Sequence, residues 1–352
     1  MPKKKRILFT IPNFKTAGSQ YVVLALIQNI DTTRYIPYVA VERFPESIPQ
    51  WIPNEQRIAT NRTQSLWRDT ASFSKLLKKH QIDLVHSWDY KSESIEAIGC
   101  KRAGVPYLFT KKNDAWSKRW FLKSVLATHI AYDNPDMKQR FFSSRWFKHK
   151  ITFIPHGVNT TVFQPSSKKR TIKDDFHICT VGNIGANKNQ LFLIKALRKL
   201  PETIKVNLYG KADTKYLSVI KEAIATYKLE KRVQFHGFIA NEELPKILQK
   251  QDVFVLPSKR EGLPVSVLEA LACGVPSLCS DSGGGARFIF GDRADEHIFE
   301  IDNQQDFMSK LKPLIEDVSY YSEKQKQAIA IAKEFDVVKE TSAYAHLYKR
   351  LL

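Results

Sequence analysis

The sequence predicts an α/β protein built from two doubly wound, Rossmann-like domains facing a cleft. Short apolar runs alternate with longer helical segments, and this alternation occurs as two separate series. A polar stretch without apolar period divides the series. The length of 352 residues suits two domains of average size, and 43% hydrophobic with 26% charged residues supplies two cores.

The first series reads ILFTI (7–11), PYVAVE (37–42), IDLVH (82–86), YLFT (107–110) and THIAY (128–132), with helical stretches such as 20–29 and 73–80 between its members. The second reads HICTVGN (177–183), KVNLYG (205–210), RVQFHG (232–237), DVFVLPS (252–258) and VPSLCS (275–280), with helical stretches at 190–200 and 216–227. QPSSKKRTIKDD lies between them. The expected division is an N-terminal acceptor domain over 1–164, a linker over 165–175, a second domain over 176–333 and a C-terminal helix over 334–352. That last helix has apolar residues at helical spacing with no strand after it, and is expected to pack back toward the first domain.

Composition narrows the classes of function. The longest apolar run, 21–27, is far shorter than the roughly 20 residues a membrane helix needs. MPKKKRILFTIPNFK is broken by Pro12 and Asn13 and reads as a first buried strand rather than a secretory signal. Cys100, Cys179, Cys273 and Cys279 show no metal-type pairing, so a reducing, cytoplasmic location is expected. The net charge of +19 is uneven: residues 1–150 hold 26 Lys and Arg against 12 Asp and Glu. Such a field suits a polyanionic substrate, an anionic membrane surface or nucleic acid.

Against that basic background, EGLPVSVLEALACGVP (261–276) places two carboxylates around one helix. Pro264 suits the first helical turn, and Gly274 and Pro276 end it. Glu261 then lies in the loop at a strand's carboxyl end and Glu269 inside the helix. Gly262 admits close backbone approach, and free N–H groups at a helix start favour an anion. Two acceptor-only carboxylates beside an anion-binding helix end match a molecule with hydroxyls at both ends and phosphates between, the layout of a nucleotide sugar.

This segment resembles the E-x7-E signature of the retaining glycosyltransferases of family 4, which have the GT-B architecture. IPHGVNTTVF (154–163), TVGNIGANKNQLFLIKAL (180–197), VQFHGFIANEEL (233–244) and SDSGGG (280–285) resemble further segments of that family; the likeness is strong over 150–290 and weaker before it. The resemblance implies transfer of a sugar from a UDP- or GDP-sugar to a hydroxyl of a glycan or lipid-linked acceptor, in surface polysaccharide or glycolipid synthesis. It implies that Glu269 binds the ribose diol and Glu261 the transferred sugar, helped by the backbone of Gly262, Leu263 and Val265. Lys188 would hold the diphosphate and stabilise the leaving charge, and Gly18 would approach the same phosphates. No cofactor or metal is expected.

Three positions depart from the family pattern. Asn183 stands where an arginine is usual, with Lys259 or Arg260 near enough in sequence to supply the charge. Lys112 and Asn113 fall where a histidine is usual, and with Asp114 they are the acceptor-side candidates. Arg287 replaces an acid. These departures keep two alternatives open: a weak or inactive binding subunit, and a sugar-nucleotide epimerase of the same architecture.

Asp292, Asp295, Glu296 and His297 read as a solvated loop rather than a metal site. Segments 116–123 and 140–148 mix cations with large aromatics, which suits either core packing or an anionic membrane surface. Nucleic acid is disfavoured, because no recognition motif accompanies them.

Overall fold

The computed structural model describes residues 3–14, 19–63, 65–89, 92, 94–112, 116–166 and 175–352. They form two compact units, Met1–His156 with Val337–Leu352, and Gly157–Asp336.

The first unit contains a seven-stranded parallel sheet: β1 (Lys5–Ile11), β2 (Tyr35–Val41), β3 (Arg57–Ala59), β4 (Leu84–Ser87), β5 (Tyr107–Lys111), β6 (His129–Tyr132) and β7 (Ile151–Phe153). Their order is β3-β2-β1-β4-β5-β6-β7. Parallel strands covered on both faces need apolar side chains in both directions, and β4 and β5 are buried at every position.

The C-terminal helix Val337–Leu351 completes this unit through its polar side chains. The imidazole of His86 on β4 meets the Tyr348 hydroxyl at 2.7 Å and Thr110 Oγ1 at 2.8 Å, and Thr110 meets the Tyr344 hydroxyl at 2.9 Å. His156 lies between Asp133 Oδ2 at 3.0 Å and Glu340 Oε1 at 3.1 Å, all three buried.

The second unit contains β8 (Phe176–Val181), β9 (Ile204–Tyr209), β10 (Val233–Gly237), β11 (Val253–Leu256), β12 (Ser277–Ser280) and β13 (Ile298–Phe299), in the order β10-β9-β8-β11-β12-β13 and again parallel. Alternation along each strand divides two cores: Val253 and Val255 enter one, Phe254 and Leu256 the other. At the end of β9, Gly210 has φ +141°, and a Cβ there would stand 2.0 Å from the carbonyl oxygen of Gly182. No side chain fits, so the ends of β8 and β9 stay in register.

The expected two-sheet class is the observed one, while several boundaries differ. Residues 157–164 pack with the second unit: Val158 N donates to Phe335 O at 2.7 Å, Thr160 Oγ1 to the Asp336 carboxylate, and Gln249 Nε2 to Gln164 O at 2.7 Å. Most of the expected linker, 167–174, lies outside the described residues. Strands β3, β7 and β13 went unread because each is a two- or three-residue edge strand, too short to show a period.

Burial opposes a charge on His156, but its two carboxylate partners outweigh burial and raise its pKa to about 9. A histidine's pKa raised above its unfolded value stabilises fully below about 6.5, and that stabilisation is lost as pH rises through about 9. Thermal unfolding followed from pH 6 to 10 should show this fall in the native protein and a flatter profile in His156→Gln. Parallel profiles would refute the pairing.

Candidate active site

In an open parallel sheet, ligands bind beyond the carboxyl ends of the strands where the strand order reverses. In the second unit that point lies between β8 and β11. The loops that leave these two strands, 182–189 and 257–264, are the ones the sequence singled out.

The β8 loop is fixed by a residue the sequence reading passed over. Gln190, fully buried, donates from Nε2 to Asn183 O at 3.1 Å and accepts from Gly185 N at 3.2 Å, bracing the loop from below. As the first residue of helix Gln190–Leu197 it gave no local signal. Asn189 takes the left-handed conformation at φ 55°, held by Asp302 Oδ1 at 2.9 Å. The result turns Lys188 toward the neighbouring loop.

That loop is tied to the first by two hydrogen bonds, one between backbones and one from a side chain. Lys259 N donates to Asn187 O at 2.8 Å, and Asn187 Nδ2 to Arg260 O at 3.0 Å. The loop after β12 closes from the other side, where Glu261 N donates to Ser282 O at 3.0 Å. A Cβ on Gly285 would stand 1.8 Å from the Gly262 carbonyl oxygen, so only glycine admits this approach. Three loops thus meet at Glu261. Its Oε1 accepts from Lys188 Nζ at 2.6 Å, with both side chains partly accessible.

The helix over Val265–Ala272 starts one residue later than expected. Pro264, at φ −80° and ψ 95°, is an extended cap rather than the first helical residue, and no side chain caps the helix. Val267 N already bonds Pro264 O at 3.1 Å, which leaves the N–H groups of Val265 and Ser266 without an intrahelical acceptor. Leu263 is buried in the core, so only its backbone can face a ligand.

Glu269 lies one turn into this helix. Part of its surface stays accessible, yet burial pushes its carboxyl up to about 8, and no described residue hydrogen-bonds it. An acid without a partner on a site-lining helix is poised for a ligand that donates hydrogen bonds.

Asn183 is exposed and neutral; the charges on this side are Lys188 and the exposed Lys259 and Arg260. Arg287 acquires a physical account. It forks onto Asp281, Nε to Oδ1 at 3.0 Å and Nη2 to Oδ2 at 2.7 Å, and reaches Asp295 at 3.7 Å, which braces the Gly-rich turn. In the 292–297 stretch Asp292, Asp295 and Glu296 are exposed to solvent, as expected, but the backbone is helical and His297 is buried. The stretch forms the short turns Gly291–Arg293 and Ala294–His297, with His297 stacked on Phe290 and bonded to Ser277 O at 2.9 Å.

In the first unit, Gly18, Asn113 and Asp114 lie outside the described residues. Lys112 follows β5 and is no surface turn. Its Nζ lies 4.8 Å from the Trp88 ring centre and 3.3 Å from Trp88 O, and burial lowers it to about 7 against the pull of Asp133 and Asp89.

Residues 163–335 match the family model described as glycosyl transferases group 1, and residues 17–162 match that of Glycosyltransferase Family 4. The chain is a glycosyltransferase of the family 4 type. This hexosyl-transferring enzyme is 26% identical to the UDP-Gal:alpha-D-GlcNAc-diphosphoundecaprenol alpha-1,3-galactosyltransferase of Escherichia coli over 79% of its own length and 78% of the relative's. It is 23% identical to the N,N'-diacetylbacillosaminyl-diphospho-undecaprenol alpha-1,3-N-acetylgalactosaminyltransferase of Campylobacter jejuni, over 79% and 80%. Among solved structures, Anabaena Alr3699/HepE in complex with UDP and glucose superposes with a TM-score of 0.82 at 20% identity, covering 98% of this chain and 100% of that one. The glycosyltransferase therefore has the two-domain GT-B fold.

A carboxyl raised by burial contributes its full stability below its unfolded pKa of about 4.5 and loses it as pH rises toward about 8. Glu269→Gln should accordingly unfold at a higher temperature than the native protein at pH 8, with the difference closing at pH 4.5. A constant difference across that window would show that the carboxyl is not desolvated.

Proposed function

We propose that the second unit binds a nucleotide-diphosphate sugar, UDP- or GDP-linked, and that the enzyme transfers the sugar with retained configuration to a hydroxyl of a glycan or lipid-linked acceptor. The observation that carries this reading is the meeting of Lys188 and Glu261 at an uncapped helix start, with the unpartnered Glu269 one turn beyond. The E. coli and C. jejuni relatives are named for transfer to diphosphoundecaprenol-linked sugars, and HepE was solved with UDP and glucose. Surface polysaccharide or glycolipid synthesis follows as the setting.

In this scheme Glu269 accepts from the ribose diol, which supplies the donors its carboxyl lacks. The diphosphate takes Lys188 from Glu261 and receives the N–H groups of Val265 and Ser266. Glu261, released, accepts from hydroxyls of the transferred sugar. Phe238, more than half exposed after β10, offers an aromatic face to the base.

The bond between anomeric carbon and diphosphate oxygen breaks while the acceptor oxygen bonds that carbon, and the acceptor's proton passes to the departing diphosphate. Charge grows on the leaving group, where Lys188 and the helix N–H groups stabilise it without a metal ion. Retention follows from attack on the face that the leaving group vacates.

Lys188→Ala and Glu261→Gln should each lower turnover of the accepted nucleotide sugar by about tenfold or more, and Glu269→Gln should weaken donor binding similarly. Thermal shift with UDP-glucose and GDP-mannose, followed by turnover with and without acceptor, tests this. Unchanged turnover in Lys188→Ala and Glu261→Gln would remove their roles, and an altered nucleotide sugar formed without acceptor would indicate an epimerase.

The same reading places the enzyme at the cytoplasmic face of a membrane. Among the described residues no helix is long and apolar enough to cross one. The aromatic and basic segments of the first unit divide: Trp116 and Phe141, stacked and half-buried, pack against the core, whereas Phe121, Leu122, Val125 and Trp146 stand exposed near Lys118, Arg119, Arg145 and Lys148. Phe121 contacts Phe147, next to Trp146, so the exposed groups form one surface. Apolar insertion with cations at the rim suits anionic lipid. Sedimentation with phosphatidylglycerol vesicles should carry the protein down at low salt and much less of it with Phe121→Ser and Trp146→Ser combined. Equal pelleting would reject this surface.

A further inference from the structure

A groove of about 530 Å³ opens at the amino end of the first unit's sheet. Lys4 precedes β1, Tyr35 opens β2 and Gln56 precedes β3, and all three line it. The helix over Ser19–Gln28 adds Ile27 and Gln28. A seven-residue strand such as β1 is about 20 Å long at about 3.3 Å per residue, so the groove lies a full strand away from the carboxyl ends.

The shortness of β3 leaves this space. β2 begins at Tyr35, but β3 pairs with it only from Val39 onward, so the first residues of β2 form an open edge. Arg34 O accepts from Lys5 N on the β1 side and Val41 O from Thr60 N on the other, which turns residues 35 and 37 toward the open edge. Tyr35 N is already bonded to Asp31 O at 2.9 Å, and Pro37 has no N–H. The edge therefore has no donor with which to receive another strand.

Trp51 lines the same groove. Arg57 grips the backbone on both sides of it, with Nε donating to Ile52 O and Nη2 to Gln50 O, each at 2.6 Å. Ile48 and Ile52 are buried, whereas Trp51 is 48% exposed. A lone exposed aromatic is ordinary, but the backbone on either side of this one is pinned, so its indole is presented in a fixed place. Gln28, Thr32 and Gln56 line the groove as well, and no described residue hydrogen-bonds their side chains.

This lining selects among ligands. Of the described residues in it Lys4 alone is charged, which is too little for a phosphate, and there is no acid to hold a cation. An acyl chain would take water from two amides and a hydroxyl and return no hydrogen bond. A polyproline segment would stack on the indole, but it lacks N–H donors for the amide oxygens. A sugar ring meets both demands: its C–H face lies on the electron-rich face of the indole, and its hydroxyls donate and accept as the amides do.

We infer that this groove binds a neutral sugar ring, stacked on Trp51 and hydrogen-bonded by Gln28, Thr32 and Gln56. At a strand's length from the carboxyl ends, that ring is not the one that reacts. That it belongs to a glycan already built rests on the proposed transfer reaction; that the groove binds one does not.

The test uses the full chain with the methyl glycosides of glucose, galactose, N-acetylglucosamine and N-acetylgalactosamine, and a polyproline peptide for comparison. Saturation-transfer NMR should show at least one glycoside in contact through its ring C–H protons, and no contact with the peptide. Trp51→Ala should weaken that glycoside by about tenfold and Gln56→Leu by about fivefold. Glu269→Gln should leave it unchanged, which separates the groove from the site in the second unit. Trp51→Ala, at an exposed position, should unfold at the native temperature and respond to UDP-glucose as the native protein does. Contact with no glycoside, glycoside contact that survives in Trp51→Ala, or binding of the peptide in place of a glycoside would overturn the inference. Loss of the UDP-glucose response alone, in the native protein, would instead overturn the donor assignment and leave the groove standing.

Discussion

Two backbones in the second unit lie too close for any side chain, and the geometry around Glu261 depends on that contact. With Gly285 against the Gly262 carbonyl, the turn after β12 presses on the turn after β11, and Glu261 N reaches Ser282 O. The Glu261 carboxylate is thereby placed within reach of Lys188, which its own loop directs from the opposite side. The same contact ends the loop at Pro264 in an extended conformation, so the next helix begins with bare N–H groups. Any β-carbon at position 285 would have to part the loops, and the uncapped helix end, the carboxylate and the lysine would separate together.

The two units stabilise their interiors differently. The second rests on two apolar clusters, with Arg232, Lys324, Gln190 and His297 buried and Glu269 partly so. The first buries Lys123, Glu96, Asp89, His156 and Glu340 in paired networks. Paired burial of charge contributes less to stability than its number of contacts suggests, but breaking one pair strands the other charge. The buried charges at the carboxyl end of the first unit's sheet are therefore held in fixed pairs.

Much of this was legible because apolar runs of five or six residues report buried parallel strands directly, and ten of the thirteen strands did so. The site in the second unit was legible where residues act through sequence-local features: a glycine, a proline and two acids around one helix. Pro264 shows the limit, since its ring suits both the first helical turn and the residue before it. Gln190 and the Gly285 contact were hidden for a different reason. Each depends on partners from other strands, brought near only by sheet order. The pairing of His156 with Glu340 spans 184 positions, and nothing near either residue announces it.

The return of the C-terminal helix to the first unit bears on how the chain assembles. Gly157–Asp336 is contiguous, so its sheet can close as soon as that segment has been synthesised. The earlier-made first unit must wait. Until Val337–Leu351 arrives, His86, Thr110 and His156 face solvent where Tyr348, Tyr344 and Glu340 will lie. The segment made first is thus the last to finish folding, and a chain cut short near its end loses the core of its beginning.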